Sequence, residues 1–191
     1  MKNELTMRLD TPYTLNFLIY LQNLYLNQKQ IEEQLKFPYL SEKVMFSDDF
    51  ELNFKELWED VSIRISKDDM DLILFNDENN LFYEKLFIPN SDSLKTYKEI
   101  YTGFRVWWSS YAGGFSVERS IDDPSHNIYI ELTNSLKKNH IEPKKQLNIS
   151  LIYDECLLTN TEFYSYYTVL SIVDIHANHK DLVFKLQRCI S

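Results

Sequence analysis

Glycine is nearly absent from this sequence: three residues in 191, two of them adjacent at Gly113-Gly114. So few glycines leave no glycine-rich phosphate loop, no Walker A motif and no dinucleotide-binding fingerprint, because each of these brings backbone N–H groups against phosphate through several glycines. Cysteine is scarce as well. Cys156 and Cys189 are the two in the chain, so there is no Cys-x-x-Cys pair. No secretory signal is visible in Met1 to Pro12. The expectation is therefore two free thiols in a reducing cytoplasm. Long hydrophobic runs are missing too. The longest strictly apolar stretch, Phe17 to Leu21, is short against the roughly 20 residues of a membrane span. No serine sits in a nucleophile elbow, no histidine neighbours a cysteine, and no cofactor is implied.

What is present fits a folded protein. Hydrophobic residues make up 44% and charged residues 26% of the chain, enough for one sizeable core, and a single globular domain over residues 1–191 is expected. The formal charge of −9 is unevenly spread. Residues 1–40 hold 4 basic and 4 acidic groups, residues 41–92 hold 5 and 14, and residues 93–191 hold 11 of each. The middle segment thus supplies the whole net charge. Such a surface repels a nucleic-acid backbone and attracts a basic protein. It also serves, more simply, as a solvated acidic surface that maintains solubility.

Hydrophobic spacing predicts a helix over Tyr13 to Lys36, capped by Thr11 with Pro12 in its first position. Beyond residue 44, alternation predicts strands at Phe50 to Phe54 and Val61 to Ile65. A hairpin is expected from Met70 to Phe75 and Leu81 to Ile88 around the polar turn at residues 76–80. Ser91 opens a second helical pattern. Phe104 to Ser109 reads as a strand, or as a continuation of that helix. Phe115 to Arg119 and Ile128 to Leu132 read as another hairpin about Asp122-Asp123-Pro124-Ser125. Leu147 to Tyr153 alternates as a strand, and Phe163 to Ile175 as a long buried one. The sum is an α+β domain: an N-terminal helix followed by a mainly antiparallel β-sheet with short polar turns.

Two constellations invite chemistry. Asp174, His176, His179 and Asp181 combine imidazole with carboxylate, the ligand set of zinc, iron or manganese, with His176 and His179 as the metal candidates. Trp107, Trp108 and Tyr111 lie beside Arg105, Gly113, Gly114 and Arg119. Paired glycines imply an unusual dihedral or a close backbone approach. Arginine and aromatic groups around them suit a ligand or an interface.

Three functions compete. The first is a non-catalytic intracellular protein-binding module, an inhibitor or immunity-type partner of a basic toxin or nuclease. Asp48, Asp49, Asp68, Asp69, Trp107 and Trp108 are its candidate contacts. The second is a small metal-dependent or ligand-binding enzyme using the Asp174 to Asp181 cluster. The third is a regulatory protein that binds a nucleotide or nucleic acid through Arg105 to Arg119, with a lysine patch at Lys137, Lys138, Lys144 and Lys145.

Overall fold

The computed structural model describes residues 4–29, 35–67, 70–160, 163–177 and 179–190, with the backbone alone at Phe163, His179 and Lys180. Among these residues the chain is 60% helix, in nine helices. The expected mainly antiparallel sheet is overturned, because the sheet is small and its three main strands run parallel. The described residues fall into two compact units. One comprises Pro12–Gly113 and Cys156–Asn160; the other comprises Met1–Thr11, Gly114–Glu155 and Thr161–Ser191. The first is helical and is inserted into the chain of the second.

The helical unit contains α1 (Tyr13–Asn27), α2 (Phe50–Lys67), α3 (Asp71–Asn76), α4 (Asn80–Leu86) and α5 (Ser91–Trp108). Helix α1 is its axis. Every residue from Thr14 to Tyr25 is buried, the mark of a core helix and not of an amphipathic surface one. Phe17 sits at the centre of an aromatic cluster, with the rings of Phe75, Phe82, Tyr97, Tyr101 and Phe104 at 5.1 to 6.2 Å. Burial raises the Tyr97 phenol well above its ordinary range. Helix α1 ends at Asn27, short of the expected Lys36, and residues 30–34 lie outside the described ones. Amides on one edge of α1 then hold neighbouring segments. Asn23 donates to the Phe37 carbonyl, Asn27 exchanges bonds with Lys36 and donates to Pro38, and Gln22 accepts from the Leu157 and Leu158 amides. These buried polar groups are thereby satisfied.

The strands expected at Phe50 to Phe54 and Val61 to Ile65 both lie inside α2. Its buried positions are Phe50, Phe54, Leu57, Trp58, Val61 and Ser62, a helical spacing. Leu52 produced the false alternation, and it is 61% exposed. Helix α5 overturns the strand at Phe104 to Ser109 in the same way. Ser93, Tyr97, Ile100, Phe104 and Trp108 are its buried residues, while Val106 is exposed. The hairpin expected from Met70 to Ile88 is instead α3 and α4.

The second unit contains β1 (Met7–Asp10), α6 (Gly114–Ser120), α7 (Asp122–Lys138), β2 (Leu147–Ile152), β3 (Phe163–Tyr164), β4 (Tyr167–Ser171), α8 (Ile172–Ala177) and α9 (His179–Ile190). Strand order is β1-β2-β4-β3. Met7 pairs with Leu147 and Asn148 with Tyr167, both in parallel register, and the two-residue β3 adds an antiparallel edge. All of β4 and nearly all of β2 are buried, as parallel strands usually are. The expected hairpin at Phe115 to Leu132 is α6 and α7. Asp122-Asp123-Pro124 forms the first turn of α7, where acids favour the helix dipole and a missing N–H costs nothing. The long strand expected at Phe163 to Ile175 divides into β3, a turn with Tyr166 at φ 59, β4 and α8.

Candidate functional site

Helix α2 gathers the acidic segment. Asp48 and Asp49 immediately precede it, and Glu51, Glu56, Glu59 and Asp60 follow along its length, against Lys55 alone in the same span. All six acids are exposed. The order has a local cause. Acids at the start of α2, and Arg64 and Lys67 in its last turn, complement the helix dipole. Asp49 fits this reading, since its carbonyl accepts from the Asn53 amide at 3.0 Å. The acidic groups were expected on turns and on the solvated face of a strand region. Asp48 and Asp49 do lie in a turn, while Glu51, Glu56, Glu59 and Asp60 lie on the exposed side of a helix.

Part of this charge is neutralised within the unit. Glu51 accepts hydrogen bonds from the Lys29 ammonium and the Tyr25 hydroxyl, each at 2.9 Å. These bonds, that from Lys29 first, hold the Glu51 carboxyl below its ordinary range. Glu56 pairs with Lys85 at 3.2 Å and Asp60 with Arg64 at 3.7 Å. Arg64 also grips Glu78 with two bonds of 2.8 and 2.5 Å, and the Glu78 carboxyl is held low by that guanidinium. Asp71 is spent elsewhere: its carboxylate accepts from the Tyr13 and Thr14 amides at 2.7 and 2.9 Å, capping α1. Asp48, Asp49 and Glu59 remain, with no ion pair among the described residues. Leu52 lies among them on the same exposed face. Asp68 and Asp69 lie outside the described residues.

The two tryptophans part company. Trp108 is 3% exposed and stacks on Phe104 at 5.8 Å, so it belongs to the core. Trp107 is half-buried. Its ring packs on Tyr20 and Phe37 at 5.9 and 4.8 Å, and Phe37 is itself 52% exposed. Sequence reasoning missed Phe37 and Leu52. An apolar residue out of step with its helix, as Leu52 is, was the available signal.

The glycine pair resolves into a close approach. A Cβ on Gly113 would lie 2.3 Å from the Trp107 carbonyl oxygen and 2.6 Å from the Trp108 Cα. No glycine has a positive φ. Arg105 is exposed in the last turn of α5, and Gly114 opens α6. Arg119 pairs with Asp122 at 3.0 Å and lies over the Phe115 ring. Each arginine thus has a local setting in its own unit. Lys137 and Lys138 fall in the last turn of α7, a favourable place for cations.

Asp174 serves as a cap. Its carboxylate accepts from the Ser171 amide and hydroxyl at 2.8 and 2.7 Å, and the Ser171 hydroxyl accepts from the Asp174 amide at 3.0 Å. This is a capping box with aspartate in the acidic position. His176 is exposed at the end of α8, and the His179 side chain is outside the described ones. Among the described residues no three His, Cys, Asp or Glu gather as a metal group, and no helix is long and apolar enough to cross a membrane.

No family model, no curated protein and no solved structure matches this chain.

Proposed function

We propose that the chain is a non-catalytic protein-binding module of the inhibitor or immunity type, and that it docks a basic partner on the outer face of α2. One observation carries this reading. Asp48, Asp49 and Glu59 stand exposed, with no ion pair among the described residues, on a face that also exposes Leu52. Carboxylates left free raise the encounter rate with a basic partner. An exposed leucine among them supplies apolar area for a desolvated contact centre, which charge alone does not provide. Half-buried Trp107 and exposed Phe37 form a further aromatic patch of the same unit, and Trp108, being core, drops out of the proposed contacts.

The cytoplasm is the proposed compartment. Cys156 and Cys189 are both free, and burial pushes their thiols up to about 12 and about 11. Neither is poised to act as a nucleophile.

The test is affinity capture from the native host with two baits, the wild type and the triple variant D48K/D49K/E59K. A protein of basic charge retained by the first and released by the second supports the proposal. Equal retention by both baits, or wild-type capture of no basic protein, contradicts it.

A further inference from the structure

We propose that the sheet-bearing unit carries a separate binding site, for a small organic cation with an apolar body, in a cleft at the C-terminal end of α7. The proposal is independent of the α2 reading. The cleft has a volume of about 500 Å³, within the roughly 300–1,000 Å³ of small-molecule sites.

Helix α7 builds one wall. Tyr129, Thr133 and Leu136 line the cleft at spacings of four and three, which places them on one face of the helix, and His140 joins them from just beyond its end. The Tyr129 hydroxyl donates to the Leu5 carbonyl at 3.1 Å, fixing the segment before β1 as the opposite wall. Leu5, Leu136 and Pro143 are buried and form an apolar floor.

The end of the helix supplies the polar part. The His140 amide donates to the Lys137 carbonyl at 3.3 Å and the Ile141 amide to the Leu136 carbonyl at 3.0 Å. These are the two bonds of a Schellman motif. The motif sets His140 at φ 55, in the left-handed region where glycine is the usual occupant. Here the strained position carries an imidazole that lines the cleft, and strain of this kind concentrates at ligand sites. A second polar group waits nearby. The Thr133 hydroxyl is buried and has no hydrogen-bond partner among the described residues, an expensive state for a group that can donate and accept.

The charges choose the ligand. Glu4 and Glu142 line the cleft and Lys137 opposes them. The last carbonyls of α7 add the negative end of the helix dipole. Two carboxylates and a helix C-terminus outweigh one lysine, so an ammonium is favoured over a carboxylate. Its donors reach Glu4, Glu142, the Thr133 hydroxyl and a ring nitrogen of His140, while its apolar body covers Leu5 and Leu136.

The experiment titrates the full chain with 2-phenylethylamine and with its anionic isostere 3-phenylpropionate, following backbone amides by NMR. The amine is expected to shift the amides of Leu5, Thr133 and His140 and to bind at least about tenfold tighter than the acid. E4Q/E142Q should weaken the amine about tenfold. H140G should keep or raise the melting temperature, because it relieves the strained position, while weakening the amine roughly fivefold, the worth of one hydrogen bond. The proposal is overturned if the amine moves no cleft amide at about 10 mM, if the acid binds as tightly, or if both variants bind as the wild type does.

Discussion

The carboxylate of Asp71 accepts hydrogen bonds from the backbone amides of Tyr13 and Thr14, 58 and 57 residues away, at 2.7 and 2.9 Å. The N-cap residue of α1, Pro12, makes no side-chain cap bond, so the first turn of the unit's central helix is closed by a charge from α3. Thr14 returns the contact by donating to the Asp71 carbonyl at 3.0 Å. Removing a helix cap costs ~0.5–2 kcal/mol, and charged hydrogen bonds lie toward the upper end. Asp71→Ala is therefore expected to destabilise the protein by about 2 kcal/mol and Asp71→Asn by less, read as the shift in urea midpoint.

The glycines of α5 and its exit make an opposed pair. A Cβ on Gly113 meets the backbone of Trp107 and Trp108 at 2.3 to 2.8 Å, where nothing flexible can give way. Gly113→Ala should cost about 2 kcal/mol or more, at the scale of overpacking. Gly103 lies within α5, and the nearest atom to its Cβ position is the Tyr20 hydroxyl oxygen at 3.9 Å. Gly103→Ala should stabilise by roughly 0.5–1 kcal/mol, the helix propensity difference. Thermal melts of the two variants should move in opposite directions.

Acid titration should expose the ion pairs of α2. The folded-state pKa values of Glu51 and Glu78 are lowered from the ordinary 4.5. A lowered folded pKa contributes stability that is present above the unfolded value and lost as pH falls through the folded one. Stability should accordingly hold on the neutral side of pH 4.5 and decline below it. The Lys29–Glu51 pair is exposed and the Arg64–Glu78 pair only partly buried, so the effect is small and weakens with salt. In E78Q the decline should be shallower than in the wild type, as measured by urea unfolding across the acid range.

Thiol chemistry should be slow. With Cys156 raised to about 12 and Cys189 to about 11, little thiolate exists at neutral pH. Alkylation of the native chain by iodoacetamide should run well over tenfold slower than that of free cysteine. Unfolding in urea should restore the ordinary rate.

Some of this was legible in the sequence and some was not. Helix α1 was, because its apolar residues are continuous over several turns. Strand β2 was, because alternation from Leu147 has no helical competitor. Helix α5 was legible from Ser91 onward, but its end at Phe104 to Ser109 read as a strand because Val, Trp and Phe favour strands. Helix α2 was not: Leu52 is an exposed apolar residue that gave Phe50 to Phe54 an apparent alternation. The parallel sheet was beyond reach, because β1 pairs with β2 across the entire inserted unit, and no local pattern encodes that partner. The acidic segment could be seen as a charge excess. Its concentration on α2, and the diversion of Asp71 to a cap, needed three dimensions. Asp174 looked like a metal ligand by residue type and is a capping-box acid, a role that depends on Ser171 three positions before it. His140 is exposed just past the end of α7, and no pattern in the sequence marks its left-handed backbone.

The α2 docking face is tested most directly by the association rate of the captured basic partner with wild type and with D48K/D49K/E59K, measured over a salt series. The rate constant should fall by at least about tenfold in the variant, and the wild-type rate should fall steeply with ionic strength while the variant rate stays nearly flat. Equal rates for the two proteins, with the same dependence on salt, would contradict the assignment of α2 as the docking face.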